Sequence, residues 1–252
     1  MNKWLRYLLV SIAIIAIEIT ISVWILNEDI PESIENKEAD DMAISMMNAV
    51  NKSAWDTTRY IQWTFPGPHE YLWDKQRNFV LVKWNDYKVL LNTKTRKGLF
   101  WDLSSTNGHW IQDQKKIDKA WSFFCNDSWW LNAPVKAMDP GVERSVVKLD
   151  DGRKGLKLEY KSGGVTPGDS YVWLLDDQNR PTSYKMWVSI IPVGGVEFTW
   201  ENWITLSTGA KIATIHKGPA FTLELTDISS DQSLESLGMS QDPFSPLEKD
   251  QL

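Results

Sequence analysis

From Leu5 to Leu26 almost every position is apolar, interrupted only by Arg6, Glu18 and a few small polar residues. The stretch after Arg6 is long enough to cross a hydrocarbon core of about 30 Å as one helix. It predicts an uncleaved transmembrane signal anchor over residues 7–26. A secretory signal peptide has a shorter apolar region, about 7–15 residues, and a small-residue cleavage site, whereas this chain carries Val23-Trp24-Ile25-Leu26. Lys3 and Arg6 precede the tract, and acidic residues dominate from Glu28 to Asp41. The positive-inside rule therefore places residues 1–6 in the cytoplasm and the bulk of the chain outside it. Glu18 costs about 2.5–3.5 kcal/mol if it is charged near the bilayer centre, which an otherwise strongly apolar helix tolerates.

Residues 27–41, acidic and containing Pro31, read as a solvated tether. Met42, Ile44, Met46, Met47 and Val50 have helical spacing, with Asp40 or Asp41 as a capping residue. The period then shortens to two. Tyr60 to Phe65 alternates and ends at Pro66-Gly67-Pro68, and runs at Tyr71–Trp73, Asn78–Trp84, Tyr87–Asn92 and Leu99–Trp101 follow, separated by turn residues. Such spacing predicts an antiparallel meander. From Gln112 to Trp130 the helical period returns, with Ile117, Ala120, Trp121, Phe124 and Cys125 on one side.

A second set of strands is expected from Val146, including Leu156–Tyr160, Tyr171–Leu175, Thr182–Ile191, Val196–Leu206, Ala213–His216 and Phe221–Leu225, with the glycines of 162–164 and 194–195 in turns. In the run from Val196, the residues Phe198, Trp200, Ile204 and Leu206 share one face, with Asn202 as the exception. Beyond Ser229 the chain is polar and rich in Ser, Asp and Pro, which predicts a disordered tail over 229–252. The fold class expected is mainly β with α: a curved antiparallel sheet within one domain over 42–228, preceded by one transmembrane helix.

Fifteen tryptophans, spread from Trp4 to Trp203, change this picture most. Each buries on the order of 150–250 Å², so they either fill a large core or line a cavity. Trp63, Trp84, Trp173, Trp187, Phe198, Trp200 and Trp203 lie on expected strands and are the candidate ligand-binding residues. A net charge of −6 offers no basic footprint for nucleic acid. Three histidines and one cysteine are too few for a Cys/His zinc site. His69, His109 and His216 sit in no hydrolase or metal motif, and a glycosidase pair needs a separation that sequence does not give. No metal, cofactor or catalytic residue is therefore expected, and Cys125 reads as a small buried apolar residue.

An N-terminal helix, a meander, a helical insertion and a second set of strands, with His69-Glu70-Tyr71-Leu72-Trp73-Asp74 and the stretch from Ser162 to Tyr171, resemble bacterial envelope proteins of the lipoprotein-localisation carrier type. The resemblance spans roughly 40–228. It implies an unclosed half-barrel around an apolar cavity, with the helices at Met42–Val50 and Ile117–Cys125 as its lid, and a lipid or acyl chain as ligand. Its setting would be the periplasmic face of a bacterial inner membrane. The retained anchor and the lack of a lipidation cysteine after it depart from shuttling carriers and from lipidated receptors of that type, and fit a tethered acceptor or sensor. A carbohydrate-binding β sandwich with exposed tryptophans is the alternative, and a hydrolase a third.

Overall fold

The computed structural model describes residues 2–35, 37–106, 108–163 and 165–249; for residues 13, 15–17, 19–25, 34–35 and 37 it describes the backbone alone. Gly164, one of the expected turn glycines, lies outside the described residues.

Lys3–Leu26 forms helix α1, and its described apolar side chains, from Trp4 to Ile14, are exposed. Among the described residues no helix is both long and apolar enough to cross a membrane; many side chains behind the 7–26 expectation lie outside them. Residues 27–41 are not a free tether. Asn27 and Glu28 bind the loop at Gly194, a short strand β1 (Ser33–Glu35) pairs with a strand of the domain, and helix α2 (Lys37–Ala49) begins earlier than the Asp40 or Asp41 cap expected. A short helix α3 (Lys52–Thr57) follows, started by Asn51, whose side chain accepts from Ala54 N.

The meander is β2 (Tyr60–Phe65), β3 (His69–Asp74), β4 (Phe79–Trp84), β5 (Tyr87–Asn92) and β6 (Gly98–Asp102). Helix α4 (Gln114–Asn132) and a 3-10 turn (Ala133–Lys136) lead to β7 (Val142–Lys148), β8 (Lys154–Tyr160), β9 (Ser170–Leu175), β10 (Pro181–Trp187) and β11 (Val196–Thr199). The chain ends with β12 (Glu201–Thr205), β13 (Lys211–Lys217), β14 (Thr222–Glu224), β15 (Thr226–Asp231) and helix α5 (Ser245–Lys249).

The strands form three antiparallel sheets in the orders β1-β7-β8-β9-β10-β11, β12-β13-β14 and β15-β2-β3-β4-β5-β6. These are successive panels of one curved surface. β11 and β12 are a single run broken at Trp200, and β14 and β15 a single run broken at Leu225. At the breaks Trp200 N still donates to Thr182 O and Leu225 N to Thr214 O. Just past each break a residue takes a left-handed backbone, Asn202 at φ 52° and Asp227 at φ 52°, the local kink by which antiparallel sheets bend. Asn202, the exception to alternation in the sequence, is thus a bend, and its side chain turns to Thr214 Oγ1. Because β1 and β6 remain separate edges, the surface is open and not a closed barrel.

Alternation gives the meander two apolar faces. Trp63, Tyr71, Val80, Val82, Trp84, Val89 and Leu91 face inward, toward α4. Leu72, Phe79, Leu81, Leu90 and Leu99 face outward, where residues after Ser229 cover them. The expected disordered tail is instead docked. β15 extends to Asp231 against β2, Phe244 and Leu247 are fully buried in the outer cluster, and Arg77 holds Asp74, Asp242 and Glu248.

Candidate functional site

Helix α4 crosses the concave side of the sheet. Asp113 starts it, its carboxylate accepting from Lys116 N at 3.1 Å. Ile117, Ala120, Phe124, Ser128 and Leu131 recur at three- and four-residue spacing and are buried, the stripe by which a helix packs on a sheet. One stretch of α4 grips the meander: Phe124 meets the edge of Trp73 with ring centres 5.0 Å apart. Its C-terminal part grips the other half, with Trp129 4.3 Å from Tyr171 and Trp130 5.1 Å from Phe198.

A polar latch fixes the helix to β3. Asp127 accepts from Tyr71 OH at 2.5 Å, lies 2.7 Å from His69 Nδ1, and receives Asn126 Nδ2 at 2.8 Å. Burial raises the Asp127 carboxyl above its ordinary value against the lowering effect of these bonds, and burial next to Asp127 keeps Tyr71 a neutral donor. Removing one partner of a buried charged group costs more than an ordinary hydrogen bond. Tyr71→Phe is therefore expected to destabilise the fold by about 1–3 kcal/mol, read as a lower urea midpoint at unchanged slope. An unchanged midpoint would show that the latch contributes nothing.

Between α4 and the second set of strands lies a cavity of about 1570 Å³. Its wall includes Phe65 and Trp73 from the meander, Trp121, Phe124 and Trp129 from α4, and Tyr160, Tyr171, Tyr184, Met186 and Phe198 from β8 to β11. Burial drives the phenols of Tyr160 and Tyr184 well above their ordinary pKa and raises that of Tyr171, so the wall they form is neutral at pH 7. Cys125 also lines it, and burial pushes its thiol up to about 12, which leaves little thiolate to act as a nucleophile. Among the described residues no group of three or more His, Cys, Asp or Glu side chains could hold a metal ion.

Of the seven candidate aromatics only Phe198 lines this cavity. Trp63 is stacked on Tyr71 at 4.5 Å, Trp84 packs on Phe123 and Tyr87, and Trp173 is wedged against Tyr184 and Trp200. All three are filled core. Trp200 and Trp203 lie around a separate void of about 10 Å³, too small to admit a ligand. Trp187 points to the opposite face, in a cluster with Val147, Leu149, Val172 and Leu174, and its Nε1 donates to Glu28 O at 2.7 Å. Of the two expected lid helices, α4 covers the cavity and α2 does not line it; α2 packs beside β7. The lining residues not named as ligand-binding from the sequence include Phe65 and Trp73, the aromatics of α4, of which Trp121 and Phe124 are expected only as part of a lid, and the tyrosines of β8 to β10. Their signal was present in the aromatic density of the helical insertion, from Trp121 to Trp130.

Compared with known proteins, the sequence matches no protein-family model and no curated protein. Among solved structures it is similar to a DUF1329 family protein from Desulfovibrio piger, with 12% identity, 80% of this chain and 95% of that one covered, and a TM-score of 0.41. It is also similar to a candidate outer membrane lipoprotein-sorting protein domain from Vibrio parahaemolyticus, with 8% identity, 82% and 97% covered, and a TM-score of 0.41. At that distance neither likeness carries a function across. The chain's own strands form the unclosed curved sheet, with α4 over its concave side.

Proposed function

We propose that this protein binds a lipid, an acyl chain or another apolar ligand of similar length in the cavity beneath α4, while tethered by residues 7–26 to a membrane on its extracytoplasmic side. The observation that carries this reading is the cavity itself. Pockets for drug-sized ligands measure about 300–1,000 Å³ and are largely apolar; this one is larger, at about 1570 Å³, and its wall is mostly apolar and rich in aromatics, with seven charged residues, among them Glu28, Lys136 and Lys185, also lining it. Water held in an apolar space of that kind is readily displaced by hydrocarbon, since burial of apolar surface releases roughly 25 cal/mol per Å². The reading assigns no catalysis: His69 is engaged by Asp127 and Cys125 is held as a thiol. A carbohydrate platform would call for exposed tryptophans, whereas Trp63, Trp84, Trp173 and Trp200 are all nearly fully buried.

Full-length protein, extracted from a bacterial membrane and analysed by native mass spectrometry with lipid extraction, is expected to carry phospholipid or acylated species. Cys125→Phe adds bulk on the cavity side of α4 and should lower the bound fraction several-fold at little cost in melting temperature. Protein that emerges ligand-free, takes up no added lipid and binds a glycan array would overturn the reading in favour of a sugar-binding module.

A further inference from the structure

Four large apolar residues at the mouth of the cavity are exposed to water: Leu26 at 65%, Val165 at 47%, Ile190 at 71% and Phe221 at 56%. They come from four separate segments, the last residue of α1 and the loops β8–β9, β10–β11 and β13–β14. Exposed apolar side chains scattered singly are ordinary, but ones that converge on a rim mark an interaction surface.

The chain next to Leu26 is fixed to that rim. Asn27 Oδ1 accepts from Gly194 N at 2.8 Å, and Glu28 N donates to Gly194 O at 3.1 Å. Trp187 Nε1 donates to Glu28 O at 2.7 Å, and Lys185 Nζ donates to the Glu28 carboxylate at 2.6 Å. The contact is close enough that a side chain at Gly194 would stand 2.7 Å from Glu28 O, and one at Gly195, where φ is +79°, 2.6 Å from Glu28 Cβ. The end of α1 and the opening of the cavity are therefore held side by side.

We infer that this clamp holds the mouth of the cavity against a lipid bilayer, with Leu26, Val165, Ile190 and Phe221 seated in the interface of the leaflet that faces the domain. The inference rests on the anchoring part of the proposed function. The occupant is identified by continuity: α1 presents an exposed apolar surface from Trp4 to Ile14 and delivers its last residue directly into the rim. The charges at the mouth narrow the lipid chemistry. Lys136 pairs with Asp139 at 2.8 Å, Lys185 with Glu28 and Lys217 with Glu201, each at 2.6 Å. Lysines already paired offer little to anionic headgroups, so contact is made by apolar insertion and is the same on zwitterionic and anionic bilayers. A ligand would then pass between bilayer and cavity without crossing water.

The test uses the full chain in phosphatidylcholine vesicles, with Cys125→Ala and one added thiol, Ile190→Cys, Phe221→Cys or Gln178→Cys, bearing an environment-sensitive fluorophore. Gln178 is exposed in the β9–β10 turn, at the end of that hairpin opposite Ser170 and Trp187. Phosphatidylcholine spin-labelled high on its acyl chain is expected to quench the probes at 190 and 221 several-fold and the probe at 178 not at all, unchanged when anionic lipid is added. No quenching at 190 and 221, in protein that stays with the vesicles through an alkaline wash, would overturn the inference and leave lipid binding standing. Self-quenching between copies without lipid quenching would assign the rim to a second copy instead, and also overturn it. Protein that washes off overturns the anchoring reading and this inference with it.

Discussion

Replacing Phe244 by alanine is expected to cost about 3–5 kcal/mol, the range for deleting a fully buried Phe. The ring has no exposed surface, lies 5.9 Å from Phe79, and has the Arg77 guanidinium 5.4 Å from its centre. Around it Leu72, Leu81, Leu90 and Leu99 form the outer apolar face of the meander. Losing the ring leaves a void, and it also weakens the seat on which Asp242 and Glu248 meet Arg77, since that fork is positioned by the same segment. Urea denaturation of the full chain, followed by far-ultraviolet circular dichroism, reads the effect. A loss below about 0.5 kcal/mol, the scale of an ordinary surface change, would mean that residues 232–249 are not packed as described.

The second large effect is a dependence on pH set by His216. Its ring is fully buried between Trp130 and Trp200, with Nδ1–H donating to Thr199 O at 3.2 Å, and burial lowers its pKa from 6.5 to about 4. Between those values the unfolded chain binds a proton that the folded chain refuses, so stability rises with pH across the window and is lost as pH falls through it. From pH 7 down to pH 4 the loss attributable to this one group is about 3 kcal/mol, at 1.36 kcal/mol per pKa unit. His216→Phe keeps the packing, gives up one hydrogen bond and should flatten the difference between pH 7 and pH 4 by that amount. Parallel pH profiles for the two proteins would show that His216 titrates normally.

Much of the meander is legible in the sequence because short apolar runs between Tyr60 and Asn92, the first of them alternating, are punctuated by turn residues, and Asn78 and Asn85 take the left-handed backbone those turns require. The docked C-terminal segment is not legible by composition. Leu234, Leu237, Phe244 and Leu247 are thinly spread among Ser, Asp and Pro, and what holds them is a distant apolar face rather than local periodicity. The strand Phe79-Val80-Leu81-Val82 did carry the sign, since a strand apolar on both faces has to be covered on both. The cavity is the least legible element. Alternation places Trp63, Trp73 and Trp84 on the inner face, yet only Trp73 borders the cavity. Where α4 crosses decides which aromatics are pressed into core and which are left beside a space, and that crossing depends on contacts far apart in sequence, such as His69 with Asp127.

Strand β1 has a bearing on how the protein is handled. Ser33 and Glu35 pair with Val147 and Val146 at one margin of the open sheet, and Ser33 Oγ donates to Ser145 Oγ at 2.9 Å. A soluble version begun at Lys37 keeps α2 whole but strips that margin and leaves β7 with unpaired backbone groups, the template on which strands of separate molecules associate. Starting at Asn27 keeps the margin paired while dispensing with α1. The shorter version is therefore the one that should aggregate, and its turbidity would reflect a missing strand rather than a poorly folded core.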